Sequence, residues 1–135
     1  MRRVITLISA VTATAIYAQL PPGPLPESNS SIGYSSVAEA LSALKGKAGA
    51  QVREQDGWTI VADRESDTVQ ALWSFTPPGH PAHPAVVKRI VAERDGRVFL
   101  DMKVLCQAAK EPCDQLVREF QALNDRLQQR FSPSR

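Results

Sequence analysis

The chain is poor in the residues that carry most catalytic and redox chemistry. Its 135 residues hold two histidines and two cysteines, and no phosphate-binding loop, dinucleotide fingerprint or EF-hand loop is written in it. The G-x-S-x-G turn that exposes a hydrolytic serine is absent as well. Carboxylates that might pair for glycoside chemistry, Glu54, Asp56, Asp63, Glu65 and Asp67, stand where turns and solvated strand faces need charge anyway. After residue 16 no apolar run is long enough to cross a bilayer. Net charge is lacking too. The 16 lysines and arginines against 14 acids become 14 of each once Arg2 and Arg3 are set aside, and a neutral domain lacks the positive field that holds nucleic acid.

What is present begins at the N-terminus. Arg2 and Arg3, the apolar run from Val4 to Ile16 and the small residue Ala18 after Tyr17 form the pattern of a secretory signal peptide spanning 1–18. Cleavage is expected after Ala18, with Ala15 as the alternative, and neither leaves a terminal cysteine for a lipid anchor. The expectation is a periplasmic or secreted protein without a membrane span after cleavage. Export exposes Cys106 and Cys113 to oxidation, so they are expected to bond to each other. Six residues separate them, a spacing that fits neither a CxxC redox pair nor a zinc pair.

Residues 19–33 read as a flexible segment, proline-rich and then serine-rich, and 132–135 as a tail. One domain, 34–131, lies between. Ser36 and Glu39 form a capping-box pattern before Val37, Ala40, Leu41 and Leu44, which predicts a helix from about Val37 to Lys47. From Ala50 the pattern changes to alternation. Asp56-Gly57 and Asp95-Gly96 are hairpin turns, the first between strands beginning at Val52 and Trp58, the second between Val86–Glu93 and Arg97–Leu105. A middle strand, Val69–Phe75, puts Ala71, Trp73 and Phe75 on one face and Leu72 and Ser74 on the other. Pro112 then opens an amphipathic helix with Leu116, Phe120, Leu123, Leu127 and Phe131 at helical spacing. The predicted fold is α+β: a short helix, a four- to five-stranded antiparallel meander, and a C-terminal helix packed on one face. Both faces of the second hairpin carry apolar residues, so its register is open by one. Trp58 and Trp73, on neighbouring strands, are expected to stack as a cross-strand pair.

The segment without an easy structural explanation is the loop Thr76–Pro84, which holds both histidines and four prolines. Prolines make it stiff, so its side chains would be held in place with little ordering cost on binding. Phe75, His80, His83, Lys88 and Arg89 are the candidate binding residues. In an extended conformation His80 and His83 stand roughly 9 Å apart, too far for one metal. No catalytic residue, metal or cofactor is assigned, and an enzyme is not favoured.

On Gly57-Trp58-Thr59-Ile60-Val61, the run Trp73–Pro77, the run Gly79–Val87 and the Cys106 to Cys113 pair, the chain resembles a family of small exported, periplasmic bacterial proteins to which no activity is attached. The resemblance covers about Gly33 to Leu127 and implies export and a shared fold. A DnaJ-like reading does not apply, because that domain needs an HPD tripeptide and both His-Pro pairs here are followed by alanine. The functional expectation is therefore a non-enzymatic binding domain of the cell envelope, inhibitor-like, immunity-like or accessory, acting on a protein partner through Thr76–Pro84. The alternatives are a metal-binding or hydrolytic envelope protein using His80 and His83, and a structural envelope protein that dimerises through its C-terminal helix.

Overall fold

The computed structural model describes residues 27–131. The expected signal peptide, 1–18, with its expected cleavage sites, the proline-rich residues 19–26 and the tail from residue 132 lie outside the described residues. The elements are α1 (Val37–Lys45), β1 (Gln51–Gln55), β2 (Trp58–Arg64), β3 (Val69–Phe75), β4 (Ala85–Arg94), β5 (Arg97–Cys106) and α2 (Lys110–Phe131). The strands form one five-stranded sheet in sequence order, each antiparallel to its neighbour.

Two turns set this meander. Asp56 and Gly57 have φ of 51° and 82°, and Asp95 and Gly96 have 53° and 71°. Both central residues thus lie in the left-handed region, the type I′ geometry whose twist matches that of a hairpin. The pairs Gln55↔Trp58 and Arg94↔Arg97 close the two hairpins and fix their registers.

Both faces of the sheet carry a core, and this is why alternation leaves the register of β4 and β5 open. On one face, Val61, Ala71, Trp73, Phe75 and Val86 pack against Val37, Ala40 and Leu44 of α1, with Ile32 beside them. On the other, Ala85, Val87, Met102, Val104 and Cys106 pack against Cys113, Leu116 and Val117 of α2. The C-terminal helix therefore packs on one face as expected, while α1 covers the opposite one. Trp58 and Trp73 are not a stacked pair. Register puts Val61 opposite Trp73 and Thr59 opposite Phe75, so Trp58, one residue off that row, points to the α2 face.

The helices start and stop for local reasons. Ser36 caps α1 by accepting from Glu39 N at 3.1 Å. Glu39 reaches back one residue further than the usual box, accepting from Ser35 N at 2.9 Å and from the Ser35 hydroxyl. Those hydrogen bonds hold the Glu39 carboxyl below its ordinary value. On α2, Cys113, Leu116, Val117 and Asn124 are buried, while Phe131 at the far end is 51% exposed. The disulfide Cys106–Cys113 ties the end of β5 to the first turn of α2.

The two edges of the sheet differ. Along β5, Cys106 N donates to Ser28 O at 2.9 Å and Ser30 N donates to Val104 O at 2.8 Å. Further along, Leu100 N donates to the Gln128 side chain, whose own amide donates to Val98 O. Met102 N is taken by Asp101 Oδ1 at 2.8 Å. Every residue of β1, by contrast, is exposed, Val52 to 43%.

Candidate functional site

The loop after β3 is braced from inside. His80 N donates to Pro77 O at 3.0 Å and His83 N to His80 O at 2.9 Å, which makes two successive turns. Thr76 Oγ1 accepts from Ala85 N at 3.0 Å and donates to Ala85 O at 3.3 Å, closing the loop at its base. Ala82 is fully buried, and its carbonyl lies 3.4 Å from Cys106 Sγ. The loop thus rests directly on the disulfide. Gln107 N donates to Pro84 O at 2.9 Å, and the His83–Pro84 peptide is cis. From the other side the Asp56-Gly57 turn closes in: a Cβ on Gly57 would stand 3.3 Å from Pro77 Cβ.

Each imidazole is committed at Nδ1. His80 Nδ1 accepts from Ala82 N at 3.0 Å, which assigns its proton to Nε2. His83 Nδ1 lies 3.0 Å from both Thr76 Oγ1 and Thr76 O. A carbonyl only accepts, so here Nδ1 carries the proton and Nε2 is the open acceptor. The two rings differ in setting as well. His80 packs edge-on against Trp58, centroids 5.2 Å apart, while His83 is exposed. Among the described residues no group of three or more His, Cys, Asp or Glu side chains is placed to hold a metal.

Trp58 continues the aromatic cluster to Phe120 of α2 at 5.8 Å, and Phe120 in turn carries the Arg89 guanidinium 5.5 Å from its ring centre. Arg89 is half-buried, and its Nε is shielded from solvent without a hydrogen-bond partner. Burial first, and then the charge of Arg53, push this guanidinium below the ordinary arginine range. Arg53 shares its face: the rows Arg53, Ile60, Ser74, Val87 and Gln51, Ala62, Leu72, Arg89 run side by side across the sheet.

The five candidate residues are thus not one patch. Phe75 is buried to 3% exposure in the α1-side core. Lys88 points the same way, 4.8 Å above the Trp73 ring and 2.8 Å from Glu65. His80 and Arg89 belong to the α2 face and meet there through Trp58 and Phe120, while His83 stands at the loop surface. Adjacent strand residues point to opposite faces, so Lys88 and Arg89 cannot share a surface on one strand, a rule available from sequence alone. The role of Phe120 and the nearness of Arg53 needed the registers of three strand pairs and the docking of α2.

Beside this cluster lies a trough of about 380 Å³ whose described lining comes from β1, β2 and β3, through Gln51, Val52, Arg53, Ile60, Ala62, Gln70 and Leu72. Compared with models of protein families, with curated protein sequences and with solved structures, the chain matches none.

Proposed function

We propose that the chain is an exported, non-enzymatic binding domain of the bacterial envelope, inhibitor-like, immunity-like or accessory, that contacts a protein partner through Thr76–Pro84. The observation that carries this reading is the bracing of the loop. Its backbone is tied at Thr76, Pro77, His80, Ala82 and Pro84, and it rests on a disulfide, so its outer surface is presented in one shape. Preorganisation of this kind lowers the ordering cost of association.

The chemistry left at the surface suits recognition better than turnover. Each imidazole offers a single free nitrogen, the Nε2–H of His80 as a donor and the Nε2 of His83 as an acceptor. Among the described residues no serine, cysteine or carboxylate is bonded to either ring. The signal-peptide pattern, the disulfide and the lack of any described helix long and apolar enough to cross a membrane fit a soluble envelope protein.

The test is capture from an envelope extract by the wild-type protein and by a His80→Ala, His83→Ala variant whose fold is checked by circular dichroism. Loss of the captured partner in the variant supports the loop as the contact surface. Recovery of the same partner at the same yield overturns it.

A further inference from the structure

Arg89 is the charge that the fold leaves unexplained. Buried and half-buried ions are normally paired, and Lys88, the neighbour of Arg89 on β4, meets Glu65 at 2.8 Å. Among the described residues Arg89 meets no carboxylate. Its neighbours are the Phe120 ring and a second cation, Arg53. Between the two arginines lies the trough, whose floor is Ile60, Ala62 and Leu72.

The dimensions of that surface indicate what fits it. Strands lie about 4.8 Å apart, so β1 to β3 span roughly 10 Å, close to the 10–12 Å diameter of one helix. α2 covers the β5 side of the same face and reaches β2 only at Trp58, through Phe120; among the described residues no element lies over the rest of the β1–β3 side. A helix laid there with an apolar stripe downward would bring its two flanks to Arg53 and Arg89. The chain's own segment 19–26, which remains after the expected cleavage, is a poor occupant: it has no acidic residue before Glu27 and its four prolines disfavour a helix. A second copy's α2 is equally unsuited, since its apolar side is spent on its own sheet.

We infer that the β1–β3 trough seats an amphipathic helix of a partner protein, apolar side on Ile60, Ala62 and Leu72, with carboxylates on its flanks pairing with Arg89 and Arg53. This rests on the binding-domain reading and gives the partner's chemistry. The partner helix completes the α2 face of the sheet, and its carboxylates neutralise the guanidinium of Arg89, whose Nε is sealed inside the fold without a partner.

The experiment is an NMR titration of full-length mature protein with an 18-residue synthetic helix bearing a leucine stripe flanked by glutamates, beside the same peptide with glutamines. The expected result is shifts of the Ile60, Ala62 and Leu72 methyls and of Arg89 Nε–Hε, with the glutamate peptide binding about tenfold tighter. Arg89→Gln and, on the exposed edge strand, Arg53→Gln each reduce that preference. An Arg53→Glu, Arg89→Glu protein prefers a lysine-flanked peptide instead. Equal binding of the two peptides, shifts centred elsewhere, or no binding overturns the inference. If the peptides fail while the loop variant still loses its captured partner, the trough assignment falls and the binding reading stands. If the peptides bind in the trough while the loop variant captures normally, the loop assignment falls instead.

Discussion

Gln128 stands in for a missing strand against Val98. Its side-chain Nε2 donates to Val98 O at 2.8 Å, and its Oε1 accepts from Leu100 N at 3.1 Å, two residues along the same edge. A primary amide reproduces the donor and acceptor of a peptide group, so this side chain from α2 occupies the place of a neighbouring backbone. Gln128→Ala is expected to destabilise the protein by about 1–2 kcal/mol through two lost hydrogen bonds. Urea unfolding measures the loss. Hydrogen exchange should quicken at Leu100 N and stay unchanged at Cys106 N, which Ser28 holds. Equal exchange at both sites would refute the role given to Gln128.

Arg89→Met should raise stability. The substitution keeps an unbranched chain against Phe120 and removes a half-buried charge that has no partner, which is worth about 1 kcal/mol. Arg89→Ala should show no such gain, because it also loses the contact with Phe120. A lower denaturation midpoint for Arg89→Met would mean that the charge is satisfied within the fold, and the case for an external carboxylate would weaken with it.

The disulfide closes eight residues between two well-packed elements. Cys106→Ala with Cys113→Ala is expected to cost about 2.5 kcal/mol by the loop-entropy estimate. Because Ala82 O sits against Cys106 Sγ, the loop should loosen with it. Reduction of the wild type should broaden the His80 and His83 ring signals; sharp, unmoved signals would show that the loop is held without the bond.

Lys47 supplies an alkaline limit. Its ammonium lies 2.6 Å from Asp63 Oδ2, a carboxylate only 4% exposed. The hydrogen bond to Asp63, against a smaller opposing effect of burial and with the charges of Asp63, Tyr34 and Glu65 adding to it, raises the lysine above its ordinary value. A raised folded value means that the stabilisation is complete below the unfolded lysine value of about 10.4 and is lost as pH climbs through the folded one. The difference in urea midpoint between wild type and Lys47→Met should therefore be flat from neutral pH to about 10 and shrink above it. A difference that begins to shrink near neutrality would point to another group.

If the signal peptide is removed after Ala18, protein recovered from the periplasm should start at Gln19; a start at Ile16 would select Ala15. Intact mass decides between them, and full-length protein retained in the cytoplasm would count against export.

Much of the fold was legible because two Asp-Gly pairs punctuate strong alternation. Those turns, with both central residues at positive φ, impose a narrow geometry and placed both hairpins, while the register of the second stayed open by one because both its faces are apolar. What connects β2 to β3 has no such signature, so nothing in the sequence set Trp58 and Trp73 on opposite faces. The split between Lys88 and Arg89 needed no such signature, because adjacent residues of one strand point to opposite faces; that Phe75 sides with Lys88 came from the β3–β4 register. Alternation signals burial on one face by the contrast with the other, and here α1 and α2 make both faces apolar. The disulfide was legible from the signal-peptide pattern and the spacing together. The pairing of Ser28 and Ser30 with β5 was not, since an isolated bridge leaves no periodicity to read.

The unequal edges of the sheet give the molecule a direction of growth. Among the described residues nothing pairs with the outer edge of β1, whereas a strand that approaches β5 finds Ser28, Ser30, Asp101 and Gln128 already in place. Two copies that met edge to edge through β1 would each present a closed side outward, so association of this kind ends at a pair and cannot propagate into a fibre.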